Sequence, residues 1–179
     1  MDNKIFTENW EQKLETLLLT TDSREHFSAY ICSPLNAETG LEILHNMRSA
    51  RTYMYYACMN MNFIAKAPHA YLPALLNDNI AEERDLAIKL GNKLLKDSHY
   101  ILVCGNRLSE GMKSEIMQAF KSGINIVAFS RDMEKSICEY LKNNDTVKKR
   151  KKKSSVIFDS RNQFMSQPDP LAYIEGGGE

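Results

Sequence analysis

One segment of the chain gathers the residue types that displacement chemistry uses. Gly105-Asn-Arg-Leu-Ser-Glu-Gly-Met-Lys-Ser-Glu115 carries a serine, two glycines and a carboxylate where an apolar run gives way to a helical pattern. Ser109 and Gly111 fall where the chain turns into that helix, whose unpaired amides and positive dipole end suit an anion such as a phosphate. Glu115 lies about one turn further in and borders the apolar positions Ile116 and Ala119. Its carboxylate can therefore point along a sheet edge instead of into water, and a helix start favours the ionised form. An ionised, partly shielded carboxylate is what attack on a sugar carbon requires. The same residues also fit plainer roles, Ser109 as a helix cap and Glu115 as a partner of the dipole. A second acidic cluster, Glu82, Glu83 and Asp85 around Arg84, opens the preceding helix. Paired carboxylates roughly 5 Å apart serve displacement at an anomeric carbon, one as nucleophile and one as proton donor or sugar orienter.

The elements that must position these groups follow from periodicity. Phe27 to Cys32 reads as a buried strand. Ile43, Leu44, Met47, Ala50, Met54, Ala57 and Met61 mark one face of a helix from about 39 to 60. Residues 62–67 form a second strand ending at Pro68, and 68–80 a long loop. Residues 81–96 form a helix with Leu86, Leu90, Leu94 and Leu95 inward, and Tyr100 to Cys104 is a continuous apolar strand of the kind covered on both faces. Helix 111–121, strand 124–129, helix 131–142 and an edge strand at Val156 to Phe158 complete the alternation. This order predicts an α/β fold: a three-layer α/β/α sandwich around a flavodoxin-like, parallel, five-stranded sheet in the order 2-1-3-4-5. In such sheets ligands bind beyond the carboxyl ends of the strands, where strand order reverses. The loops to inspect are Cys32-Ser-Pro34, Pro68-His-Ala-Tyr71 and the segment from Gly105.

Thr7 is placed to cap an extra N-terminal helix over 7–19, with Trp10, Leu14, Leu17 and Leu18 at helical spacing. The chain divides into a helical flank at 1–25, the α/β domain at 26–160 and a tail at 161–179. With 179 residues, 43% hydrophobic and 26% charged, the composition is that of one globular domain with a core of its own. No apolar run approaches the roughly 20 residues of a membrane span, and the first residues lack a signal-peptide layout. The expected location is cytoplasmic, with no membrane partner. Cys32, Cys58, Cys104 and Cys138 are far apart in sequence and read as reduced thiols, and the four histidines are equally scattered, so no metal site is expected. Six of the 23 basic residues form the run Lys148, Lys149, Arg150, Lys151, Lys152 and Lys153, leaving 17 against 23 acidic residues, a net of minus six elsewhere. Such a run can bind a phosphate backbone, so nucleic acid is one candidate partner; a solvated loop is the commoner use.

Tyr30-Ile-Cys-Ser-Pro34, Pro68-His-Ala-Tyr-Leu-Pro73, Glu83-Arg-Asp-Leu86 and Ser109-Glu-Gly-Met-Lys-Ser-Glu115 together resemble the nucleoside 2-deoxyribosyltransferase-like superfamily, in an uncharacterised phage and bacterial branch. The likeness covers about 26 to 130, and its last motif is similar to that of the 2'-deoxynucleoside 5'-monophosphate N-glycosidases. The resemblance implies Glu115 as the nucleophile at the anomeric carbon, Ser109 as a 5'-phosphate ligand and Asp85 as an aid to sugar and base. It places Tyr30 in the pocket lining and Ser33 in the phosphate loop, with His69 and Tyr71 available to ligand; Gly111 joins the binding residues through the helix start described above. The implied activity is cleavage or transfer at the N-glycosidic bond of a nucleoside or nucleoside 5'-monophosphate, without a cofactor, by a homo-oligomer such as a dimer. A nucleotide-sensing module on the same fold would use the same edge without turnover.

Overall fold

The computed structural model of the chain describes residues 27–144 and the backbone of 156–158. The N-terminal helix, the basic run and the tail expected from the sequence lie outside the described residues. In chain order the elements are β1 (Ser28–Cys32), α1 (Gly40–Met61), β2 (Ile64–Lys66), a 3-10 turn (Pro68–Ala70), α2 (Leu72–Leu75), α3 (Ala81–Lys96), β3 (Tyr100–Val103), α4 (Glu110–Ser122), β4 (Asn125–Ala128), α5 (Arg131–Asn144) and β5 (Val156–Phe158). The segment 68–80, expected as loop alone, thus holds a 3-10 turn and a one-turn helix; prolines at their first or second positions favour both.

The fold is α/β, with every strand pairing parallel and the strands arranged β2-β1-β3-β4-β5. Alternation along the strands divides the core in two. Tyr30, Cys32, Ile101, Val103, Ile126 and Ala128 face α3, α4 and α5, whereas Ala29, Ile31, Leu102, Cys104 and Val127 face α1. β3 is buried on both faces, which accounts for its unbroken apolar run. Among the described residues no helix is long and apolar enough to cross a membrane.

Two expected helix faces differ from the observed ones. Thr39 and Glu42 close a reciprocal capping box on α1, and Met47, Ala50 and Ala57 are buried, but Leu44 is half exposed. A 22-residue helix spans about 33 Å, more than twice the reach of the short strands beneath it, so its first turns overhang the carboxyl edge of the sheet. On α3 only Leu95 is buried, with Leu94 partly so, and Leu86 and Leu90 face outward. The helix instead presents Arg84, Ala87, Ile88 and Gly91 to the sheet edge. Gly91 faces Tyr30, and a β-carbon there would meet the Tyr30 hydroxyl at 3.5 Å, an ordinary van der Waals contact. Leu94 and Leu95 pack inward as expected, whereas Leu86 and Leu90 are one helical step round from the cavity face, so the apolar count held for the last turn of the helix and not for its first half.

Candidate active site

A cavity of about 610 Å³ opens at the carboxyl ends of β1 and β3. These strands flank the point where the chain's crossovers reverse direction, the place where open parallel sheets leave a crevice. Its floor is the end of β1, one wall is the first half of α4, another is α3, and the 3-10 turn after β2 closes a third side.

The first half of α4 is fixed from both ends of its loop. Ser109 is the N-cap and its Oγ accepts from the Met112 amide at 3.3 Å, leaving the amides of Glu110 and Gly111 without an intrahelical partner. Gly105, at φ +103°, begins the loop, and a β-carbon there would lie 2.9 Å from Pro34 Cδ. Only glycine lets the loops after β1 and β3 approach so closely. Ile116 and Ala119 are fully buried, which turns the neighbouring Glu115 towards the cavity.

The Glu115 side chain is 17% exposed, and its two oxygens have different surroundings. The Tyr30 hydroxyl donates to Oε1 at 2.6 Å, the length expected when the acceptor is a carboxylate. His69 Nε2 lies 3.4 Å from the same oxygen. Oε2 is buried and has no hydrogen-bond partner. Burial first, and then the charge and hydrogen bond of Glu115, push Tyr30 well above the usual phenol range. The same causes in the same order raise the Cys32 thiol, which follows Tyr30 by two residues on the same sheet face. Both groups therefore stay protonated beside the carboxylate. Ser33, 1% exposed, also lines the cavity, and its Oγ has no partner. A buried hydroxyl and a buried carboxylate oxygen left unpaired on one cavity wall are what a polar ligand would satisfy.

Of the residues singled out from sequence, Tyr30, Ser33, His69, Ser109, Gly111 and Glu115 all line this cavity. Asp85 and Tyr71 do not: Asp85 is exposed on α3 and Tyr71 is 41% exposed after the 3-10 turn. One residue is a rotation of about 100° on a helix, so with Arg84 and Ile88 on the wall Asp85 is carried off it. Arg84, Arg107, Asp78 and Asn92 line the cavity and were not singled out. Arg107 stands within the very loop that drew attention, and a cation two residues before a helix cap was a readable signal. Asp78, in an Asn-Asp-Asn turn, had none.

The family model of a domain of unknown function, DUF7768, matches residues 28–129, more than half of the chain. The chain belongs to the DUF7768 family. The matched span begins at β1 and ends just past β4, so every residue of the cavity described above falls within the DUF7768 domain. No curated protein and no solved structure matches the chain.

Proposed function

We propose that this DUF7768 protein is an N-glycosidase or deoxyribosyltransferase that cleaves the N-glycosidic bond of a nucleoside or nucleoside 5'-monophosphate, with Glu115 as nucleophile. The observation that carries the reading is the asymmetry of one carboxylate on a residue that lines the cavity: Oε1 accepts from Tyr30 with His69 Nε2 3.4 Å away, while Oε2 is buried and accepts no hydrogen bond. A carboxylate oxygen that accepts no hydrogen bond keeps its lone pairs for an electrophilic carbon. In the same reading a 5'-phosphate lies against Ser33 Oγ, the Ser109 hydroxyl and the first amides of α4, with Arg107 as counter-charge. The second carboxylate of the pair is then Asp78, which lines the cavity, in place of the outward Asp85. In fold terms the reading is of a flavodoxin-like sandwich whose switch point holds the sugar. It includes a homo-oligomer: Leu86 and Leu90, 46% and 39% exposed, form an apolar stripe on the helix whose other side lines the cavity.

The test is to incubate the protein with a panel of deoxynucleosides and their 5'-monophosphates and to follow free base. Release is expected from at least one member, and Glu115→Gln should abolish it while ligand-induced thermal stabilisation persists. Stabilisation without release in the parent protein would instead make the cavity a nucleotide sensor.

A further inference from the structure

The wall beside Glu115 holds an ionisable group that a nucleophile by itself does not need. His69 Nδ1 is 3.0 Å from the Ser33 carbonyl oxygen, which can only accept, so that nitrogen carries a hydrogen. Nε2 faces Glu115 Oε1 at 3.4 Å, and a neutral ring in this tautomer would turn a lone pair towards the carboxylate. The arrangement fits the doubly protonated ring. Burial works to lower the pKa of His69, but the hydrogen bond and charge of Glu115, the Ser33 carbonyl and the charge of Asp78 more than offset it, and the value is raised. The ionisable groups around this pair are Glu115 from α4, Asp78 from the turn before α3, and the Tyr30 and Cys32 hydrogens from β1, with Arg84 from α3, Arg107 from the loop before α4 and Glu110 at the start of α4 lining the same cavity.

We propose that His69, acting through Oε1, makes Glu115 a better leaving group in the second half of the reaction and so sets the lifetime of the glycosyl-enzyme. The proposal rests on the glycosidase reading above. In the first half, a turn of the carboxylate brings the buried Oε2 to the cavity, where it bonds to C1', the C1'–N bond breaks, and its electron pair stays on the base nitrogen, which takes a proton from solvent. The carboxylate loses its charge as it becomes an ester. In the second half, a water oxygen bonds to C1', the C1'–Oε2 bond breaks, its electron pair returns to the carboxylate, and the water's proton goes to solvent. Negative charge then regrows across both oxygens, and the Tyr30 hydroxyl already donates to Oε1 with His69 Nε2 3.4 Å from it. Donors fixed where charge develops accelerate the step that develops it. The same donors slow the first half by stabilising the free carboxylate, so their net effect is to keep the ester from accumulating.

Acid-quenched time courses on an active substrate, with released base and intact protein mass measured together, test this. In His69→Phe, which keeps a ring but loses both contacts, base should appear in a burst of one equivalent per site, followed by turnover slowed about tenfold or more, with the protein carrying the sugar mass. His69→Gln, which retains an uncharged N–H, should fall between the two. In the parent protein the glycosylated fraction should rise as pH climbs through the His69 transition, a readout available even if the variants fold poorly. Base release by folded His69→Phe with no burst and no adduct would overturn the proposal, as would a parent adduct fraction that ignores pH. No release by the parent protein would remove the glycosidase reading itself, a different outcome from a changed partition.

Discussion

Tyr30 and Glu115 are 85 residues apart in sequence and joined by a 2.6 Å hydrogen bond, and most of the proposed chemistry depends on that pair. Tyr30→Phe removes one hydroxyl from a side chain that is 1% exposed and leaves the ring packing intact. A hydrogen bond to a charged group is worth about 1.5–3 kcal/mol, so steady-state turnover should fall by roughly 10- to 100-fold and the thermal midpoint by several degrees. Unchanged turnover in steady-state assays would show that Oε1 needs no donor. His69 gives a stability signature of its own. Its folded value is raised above the usual 6.5, so the stabilisation it brings is complete below that and is lost as pH rises through the folded value. The gap in thermal midpoint between the parent and His69→Phe should therefore shrink as pH rises above about 6.5, measured by calorimetry; a constant gap would mean that folding does not raise the His69 value. At this scale the sequence was informative for residues that follow strand ends or start helices, such as Ser33, His69, Ser109 and Glu115. It failed for Asp85, because whether a helical residue meets a cavity depends on the rotation of the helix, which no local spacing specifies.

The loops after β1 and β3 act as one unit because Gly105 and Pro34 touch. Gly105→Ala would force a non-glycine residue to φ +103° and drive its β-carbon to 2.9 Å from Pro34 Cδ. The conformation alone costs about 1–2 kcal/mol, and the clash must move one of the two loops that carry Ser33 and Ser109. The expected result is a lower denaturant midpoint together with weakened nucleotide binding; a neutral substitution would mean the loops are independent. The alternation of strand and helix was readable because each element buries one face with its own period, and β3, buried on both, was the plainest. The facing of α3 was readable only at its end, where Leu94 and Leu95 pack on the core. Leu86 and Leu90 are just as apolar, yet over that stretch the side turned to the cavity is the one with Arg84, Ile88 and Gly91.

Across the whole molecule, α3 has one side on the cavity and the other exposed, an arrangement that fits a second copy of the chain packed against Leu86 and Leu90. Glutamate at both positions should convert an oligomer to a monomer in light scattering on a sizing column; a parent protein that is already monomeric contradicts the oligomer. The acidic balance outside the basic run, and the cavity with Arg84 and Arg107, were separable in the sequence only in part, since charge counts do not say which cations share a concavity. The central claim is that one oxygen of Glu115 bonds to a sugar. Peptide mapping by mass spectrometry, after acid quench of His69→Phe with an active deoxynucleotide, tests it most directly. The account predicts the sugar mass on the peptide containing Glu115 and on no other. Base released with the sugar mass on another residue would contradict it.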